Sequence, residues 1–405
     1  MKAGRLRRGI LAAFTTILMA SALLLAGCSP DDGIKSEAGE LSIGKDIDRE
    51  DSLAAPKDGG ISSELTQEDD NGDESSDSGN EALEEKADSK DPSIEISIEG
   101  QDEDNDDPLE ADKTTGEDKE IDLIFFMGQS NMSGCGGDAS LAPAVTAGAG
   151  YEFRAVSDPF SLHDIKEPFG FAEFVIGGIC DTIDGKKGSM VSSFVNEYYL
   201  RTGHTVVAVS ASAGATTTED WLSDGFVTDL SVRVKNAQDY LNNNGYTINN
   251  QYVVWLQGES DALEKVHSDE YKTNMDNIIR PLFIEGFTKV FVITPGRTLS
   301  NKNFFNEIID AQLDMCKNSG YYALASTMLC TVSTDYMVDE WHYNQKVLNL
   351  LGEEAAKAVA YYTNEDKEMC IYDYKHDTTF IPEFFGYDEE VTVSPEDINT
   401  ILANR

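Results

Sequence analysis

Five short, almost unbroken apolar runs restrict what this chain can fold into: IDLIFFM (121–127), HTVVAVSA (204–211), QYVVWLQ (251–257), KVFVITP (289–295) and YYALASTML (321–329). Near-continuous hydrophobicity over so few residues suits strands covered on both faces, as in a parallel sheet. Stretches with helical spacing separate the runs. In SMVSSFVNEYYLRTG, Met190, Phe194 and Tyr198 recur every four residues, and Gly203 follows as a cap. In NFFNEIIDAQLDMCKNSG, Phe305, Ile309, Leu313 and Cys316 form one face, which Gly320 is expected to close. SDEYKTNMDNIIRPLF and NQKVLNLLGEEAAKAVAYYT read as two more helices, with Pro281 expected to kink the first or end it early. The alternation predicts an α/β fold: a doubly wound, three-layer α/β/α sandwich around a roughly five-stranded parallel sheet.

Ligands in such a sheet bind beyond the carboxyl ends of the strands, so the residues after each run are the ones to read for chemistry. Gly128-Gln129-Ser130-Asn131 follows the first run, and SAGATTTEDW, with Gly214 at the turn, follows the second. QGESD (257–261) follows the third, and DYMVDEWHYNQ, with Asp339 three residues before His342, lies past the fifth. A serine hydroxyl is a weak nucleophile that needs a base within hydrogen-bond reach. Histidine can take that proton and return it to a leaving group, and a carboxylate can hold the ring in the right tautomer. The N–H groups of Ser130 and Gly214, with the Gln257 amide, would face a developing oxyanion, each donor contributing about 2.7–4 kcal/mol. Ser130 alone reads equally well as a turn serine; three further blocks in order after the right strands favour the nucleophile. His342 is preferred over His163, His204, His267 and His376 because of the aspartate at Asp339, with Asp335 as the fallback carboxylate. Asn131 and Glu259 read as braces for the loops.

These blocks resemble the SGNH hydrolase superfamily over residues 121–362. Within it they are most similar to the sialate O-acetylesterase-like group, which includes the acetylxylan esterases of carbohydrate esterase family six. GQSNMSG is similar to that group's nucleophile block, SAGATTTEDW to its small-residue turn, WLQGESDA to its Gln-Gly-Glu-Ser-Asp block, and DEWHYNQ supplies the Asp-x-x-His. The resemblance implies Ser130, Asp339 and His342 as a triad, Ser130, Gly214 and Gln257 as the oxyanion hole, and removal of acetyl groups from carbohydrate without a cofactor or metal. Ala215 departs from it, standing where a second glycine is usual. Residues 135–187 match nothing and are expected to form substrate loops; Trp221, Trp255 and Trp341 are candidates for stacking on sugar, Trp255 reading better as core. A non-hydrolysing glycan-binding protein on the same scaffold is the alternative that Ala215 raises.

The rest of the chain is a different polymer. Residues 1–28 carry Lys2, Arg5, Arg7 and Arg8 before a short apolar run, as a signal peptide does. The run ends in Leu25-Ala26-Gly27-Cys28, which resembles a bacterial lipobox and implies lipidation of Cys28 at the extracellular face of the membrane. Residues 29–120 hold no aromatic side chain, and 33 Asp and Glu stand against 8 Lys and Arg. Such a segment buries too little apolar surface to offset chain entropy, so an extended acidic tether is expected. The remainder carries a net charge of −22, which argues against a nucleic-acid partner and for a neutral polysaccharide. Cys135, Cys180, Cys316, Cys330 and Cys370 are an odd set, so disulfides would leave one thiol over. The aromatic tail 363–405 is expected to pack on the domain, ending in a helix capped by Ser394 with Pro395 in its first turn.

Overall fold

The computed structural model describes residues 119–180, 185–392 and 396–405; the apolar leader, Cys28 and the acidic segment lie outside the described residues. One sheet carries β1 (Lys119–Gly128), β2 (Gly150–Phe153), β3 (Leu162–Asp164), β4 (Thr205–Ser212), β5 (Tyr246–Leu256), β6 (Lys289–Ile293) and β7 (Tyr322–Ser326). Their spatial order is β3-β2-β4-β1-β5-β6-β7, with β3 alone antiparallel to its neighbour. The five apolar runs are thus the parallel core, β1 at its centre between β4 and β5. Two strands more than expected come from the unmatched loops: β2 and β3 are four and three residues long, too short to show a period.

Helices cover the sheet: α1 (Ser130–Ser133), α2 (Val191–Thr202), α3 (Thr218–Trp221), α4 (Asp224–Asn243), α5 (Glu259–Glu264), α6 (Ser268–Ile284), α7 (Asn306–Asn318), α8 (Gln345–Glu365) and, at the end of the chain, α9 (Ile398–Ala403). Successive residues of a strand point to opposite faces, and the aromatic pairs follow that rule. Phe126 meets Phe194 of α2 at 5.1 Å between ring centroids, while Phe125 meets Phe287, just past α6, at 5.2 Å. Tyr252 of β5 lies against Tyr362 of α8, whereas Trp255 lies against Trp221 of α3. Burying each such ring stabilises the fold by about 1.5–3 kcal/mol, so a sheet apolar on both faces needs both helix layers.

Helix ends differ from expectation in small ways. α6 continues through Pro281 to Ile284: the proline forfeits its own i→i−4 hydrogen bond, and only three helical residues follow it. α7 ends at Ser319 in extended backbone and not at Gly320, whereas Gly203 does close α2 with φ 73°. Arg233 of α4, fully buried, draws the 154–180 loops onto the sheet: it pairs with Asp229 (3.1 Å) and Glu173 (3.5 Å) and donates to the Ser210 carbonyl (2.7 Å).

A second sheet of order β10-β8-β9 holds β8 (Glu368–Asp373), β9 (Thr378–Phe380) and β10 (Tyr387–Thr392). Lys289, the first residue of β6, joins it to the first sheet: its ammonium bonds Glu368 at 2.9 Å and lies 3.8 Å from the Phe385 ring centroid. Burial pulls the Lys289 pKa down and pushes the Glu368 pKa up, so removing either partner would strand a buried charge at a cost of about 3–5 kcal/mol. Ser394 and Pro395 lie outside the described residues, and α9 starts at Ile398 with Asp397 as its cap.

Two carboxyls give the fold a pH dependence. Burial pushes Glu354 of α8 up to about 7, the hydrogen bond from Ser326 offsetting only part of it, and burial likewise pushes Glu152 up to about 7 despite Arg154. A carboxyl raised on folding binds its proton more tightly in the native state, so its contribution is present at low pH and is lost as pH rises through about 7. Thermal unfolding should therefore show a lower midpoint at pH 8 than at pH 5, and Glu354→Gln should narrow that gap; a gap as wide in the variant would clear Glu354 of the effect.

Candidate active site

The first turn beyond β1 is built by close approach. Gly128 has φ 139°, and a Cβ there would lie 2.0 Å from the Leu256 carbonyl oxygen of β5. Only glycine lets β1 and β5 converge at this point. Gln129 N–H then donates to the Leu256 carbonyl, Ala213 N–H donates to the Gly128 carbonyl, and Ser130 opens α1. Helix-initial N–H groups, that of Ser130 among them, have no partner within the helix.

His342 arrives from the far side of the sheet on a narrow hairpin, in which Met337 pairs with Tyr343 and Val338 N–H donates to the His342 carbonyl at 2.9 Å. Asp339, at the tip, accepts the Trp341 and His342 backbone N–H groups on Oδ1, and its Oδ2 lies 2.7 Å from His342 Nδ1. Partial burial works to raise the Asp339 pKa, but the His342 hydrogen bond and charge, with the two backbone donors, hold it below the usual carboxylate value. Asp335 turns instead to Ser333, so the fallback carboxylate is not the partner.

Asn131 joins the two halves. Its Nδ2 donates to the Trp341 carbonyl at 3.1 Å and to Glu259 Oε1 at 2.8 Å, and its Oδ1 accepts Tyr343 N–H at 3.4 Å. The residue after Ser130 thus grips the backbone on either side of His342. A Cβ on Gly136 would come within 2.9 Å of the His342 Cβ, which shows how tightly the two turns lie together. Ser130 and His342 are brought onto adjoining turns without a hydrogen bond between Ser130 Oγ and the imidazole. Glu259 is buried, its carboxyl pushed up by desolvation against the pull of Asn131 and His342, and its Oε2 has no partner.

Gln257 has a different task from the one expected. Its Nε2 donates to the Thr216 carbonyl at 2.9 Å and to Asp261, which occupies both amide protons; the side chain braces the Gly214 turn and presents no further donor. Asp261 also accepts the Thr218 N–H and hydroxyl, the latter at 2.6 Å, so the third block locks the second in place. Gly214 lies on that turn, one residue past Ala213, and Ala215 takes φ 56°, the left-handed conformation a glycine would adopt.

Other candidates fall away. The Asp-x-x-His spacing is repeated: His376 Nδ1 lies 2.7 Å from Asp373, but its Nε2 faces Asp310 at 3.4 Å and no serine. His163 pairs with Asp158, His204 with Asp122 and exposed His267 with Glu307. Trp221 and Trp255 are both buried and in ring contact, so neither meets a sugar; Trp341, half-buried beside His342, meets Phe304 at 5.9 Å. Two further residues had no role legible in the sequence. Gln129 uses Oε1 to accept Ser260 N–H at 3.3 Å, and buried Lys186, on a loop packed against the Ser130 turn, donates to Ser212 Oγ at 2.9 Å. Two surface cavities, of 510 and 470 Å³, are lined by other residues, chiefly of α4 and α6.

Replacing Gly128 by alanine should cost more than about 3 kcal/mol, since it adds a backbone clash to an unfavourable φ. Denaturant unfolding of Gly128→Ala measures this, and a stability within about 1 kcal/mol of wild type would contradict the close approach.

Several solved structures are similar to this chain. A protein from Arabidopsis thaliana aligns at TM-score 0.43 and 20% identity, over 61% of this chain and 99% of its own. A carbohydrate acetylesterase from Xanthomonas citri aligns at 0.38 and 15%, over 59% of this chain and 57% of its own. A mutant of an acetyl-xylooligosaccharide esterase from Geobacillus aligns at 0.33 and 11%, over 58% and 91%. No curated protein matches the sequence. The family model described as carbohydrate esterase, sialic acid-specific acetylesterase, matches residues 120–361, more than half of the chain, and the protein belongs to that family of carbohydrate esterases.

Proposed function

We propose that the protein is a serine-dependent O-acetylesterase acting on acetylated carbohydrate, with Ser130 as nucleophile, His342 as base and Asp339 as the carboxylate that orients it. The observation that carries this reading is the Asn131 bridge, which ties the turn bearing Ser130 to the backbone on both sides of His342. Asp339 at 2.7 Å from Nδ1 favours the proton on that nitrogen, leaving Nε2 as the acceptor. Catalytic hydrogen bonds are often long before substrate binds, so the Ser130–His342 bond belongs to the complex.

On this reading Ser130 Oγ attacks the acetyl carbonyl carbon as its proton passes to His342 Nε2. The oxyanion is met by the N–H groups of Ser130 and Gly214, the second held by the Gln257–Thr216–Asp261 network. The imidazolium then protonates the sugar oxygen, the alcohol leaves, and water activated by the same imidazole releases acetate from the acyl-serine. Trp341 and exposed Phe304 offer a ring edge beside His342 on which the apolar face of a sugar can rest. The non-hydrolysing alternative loses much of its motive, because Ala215 follows the path a glycine would take.

Ser130→Ala should lower acetate release from acetylated xylan, acetylated sialic acid or p-nitrophenyl acetate by at least about 10³-fold. Asp339→Asn should lower kcat on the order of 10²–10⁴-fold. His376→Ala, which removes the other Asp-x-x-His pair, should leave the rate unchanged. Undiminished turnover in Ser130→Ala sinks the assignment, and release from only one of the two acetylated carbohydrates names the sugar. We further propose that Cys28 carries the lipid and residues 29–120 tether the esterase at the cell surface; Cys28→Ser should abolish incorporation of labelled palmitate, and labelling that persists refutes the anchor.

A further inference from the structure

The matched segment ends at residue 361, yet the chain beyond it reaches back to the loop that carries Asp339 and His342. After β7 that loop passes through two tight turns, Met328–Cys330 and Thr334–Tyr336, before the hairpin that displays both side chains. Asn399, in the first turn of α9, lies alongside the approach to the second turn. Its Nδ2 donates to the Thr331 carbonyl at 2.9 Å and its Oδ1 accepts the Ser333 N–H at 2.7 Å. One amide thus pairs with two backbone groups as a neighbouring strand would. Ser333 in turn caps the Thr334–Tyr336 turn through its hydroxyl, and the Tyr336 carbonyl accepts the Asn344 N–H at 2.9 Å, closing the base of the hairpin.

The anchor is itself firmly seated. Ile398 and Leu402 are buried, Asp397 caps the helix, and Arg405 forms a two-pronged ion pair with Glu353 of α8 at 2.9 and 2.6 Å. A second stitch lies upstream, where Thr327 Oγ1 accepts the Tyr374 N–H at 2.9 Å and donates to the Tyr372 carbonyl at 3.3 Å. The hairpin is therefore held from three directions: by Asn131 at its outer strand, by the 299–300 loop through Glu340, and by the C-terminal segment at its base.

We propose that Asn399 is a positioning residue for ester hydrolysis, and that the C-terminal helix fixes the base of the His342 hairpin against the Ser130 turn. The proposal rests on Ser130, His342 and Asp339 being the triad. Loosening the hairpin would misplace the imidazole by a fraction of an ångström, and an acetyl ester without a sugar to rest on Trp341 of the same hairpin reports that displacement as a loss of kcat.

The test uses the full chain with Asn399→Leu, which keeps the branched shape and removes both bonds, and Asn399→Asp, which keeps only the acceptor for Ser333. With p-nitrophenyl acetate, which carries no sugar to rest on Trp341, Asn399→Leu should lower kcat by about 10-fold with KM within about twofold of wild type, Asn399→Asp falling between. Hydrogen–deuterium exchange, which needs no turnover, should show faster exchange at Val338, Tyr343 and Asn344 in Asn399→Leu and no change in β1 or β5. Unaltered exchange in the hairpin overturns the proposal, as does a kcat within twofold of wild type. A wild-type protein without Ser130-dependent turnover would instead defeat the proposed function, and the exchange result would still decide whether Asn399 holds the hairpin. Should Asn399→Leu not fold, Asn399→Asp carries both measurements.

Discussion

A single buried amide holds the candidate site together. Asn131 follows Ser130 directly, yet its side chain belongs energetically to the His342 hairpin, and Glu259 fixes which way the amide faces by accepting from Nδ2. Flipping it would set carbonyl oxygen against the Glu259 carboxylate and the Trp341 carbonyl, and would leave the Tyr343 N–H facing a donor. A hydrogen bond to a charged or strongly polar buried group is worth about 1.5–3 kcal/mol, and leaving such groups unmet costs at least as much. The orientation is therefore determined, and with it the separation of two turns more than two hundred residues apart in the chain.

Most residues of the motif blocks serve this architecture and not the chemistry itself. Gln129 reaches under the third block, Gln257 and Asp261 hold the second, and Glu259 returns to the first. The ring of bonds closes above the carboxyl ends of β1, β4 and β5, where an open α/β sheet places its ligands. Burial raises the Glu259 and Asp261 carboxyls against the hydrogen bonds that pull them down, so polar groups are held in a dry site by their partners. A preorganised set of donors needs this support, because the electrostatic work of ester hydrolysis is done by groups already in place.

The two ends of the sheet use buried ions in different ways. At the start of β6, Lys289 and Glu368 bind the second sheet to the first, far along the strands from Ser130. Nearer the carboxyl edge, Arg233 gathers Asp229, Glu173 and the Ser210 carbonyl, which draws the 154–180 loops over β4. Both pairs satisfy groups that would otherwise be costly to bury.

Much of this was readable from residue order. Near-continuous apolar runs announced buried parallel strands, and every one of the five became a core strand of the sheet. Four blocks after those strands marked the loops that carry Ser130, Gly214, Gln257 and the Asp339–His342 pair. Spacing alone cannot separate the two Asp-x-x-His pairs, since Asp373 and His376 repeat the motif without a nucleophile, nor show that Gln257 has both amide protons engaged elsewhere. Strands of three and four residues, and the contact between Asn399 and the 331–333 backbone, left no local trace, because neither depends on a repeating pattern. By itself the sequence determined the five core strands, the order of the blocks and the chemical types that could meet. The tertiary structure alone decided which polar atoms satisfy one another, since a hydrogen bond is set by distances of a few tenths of an ångström between segments that the chain order does not relate.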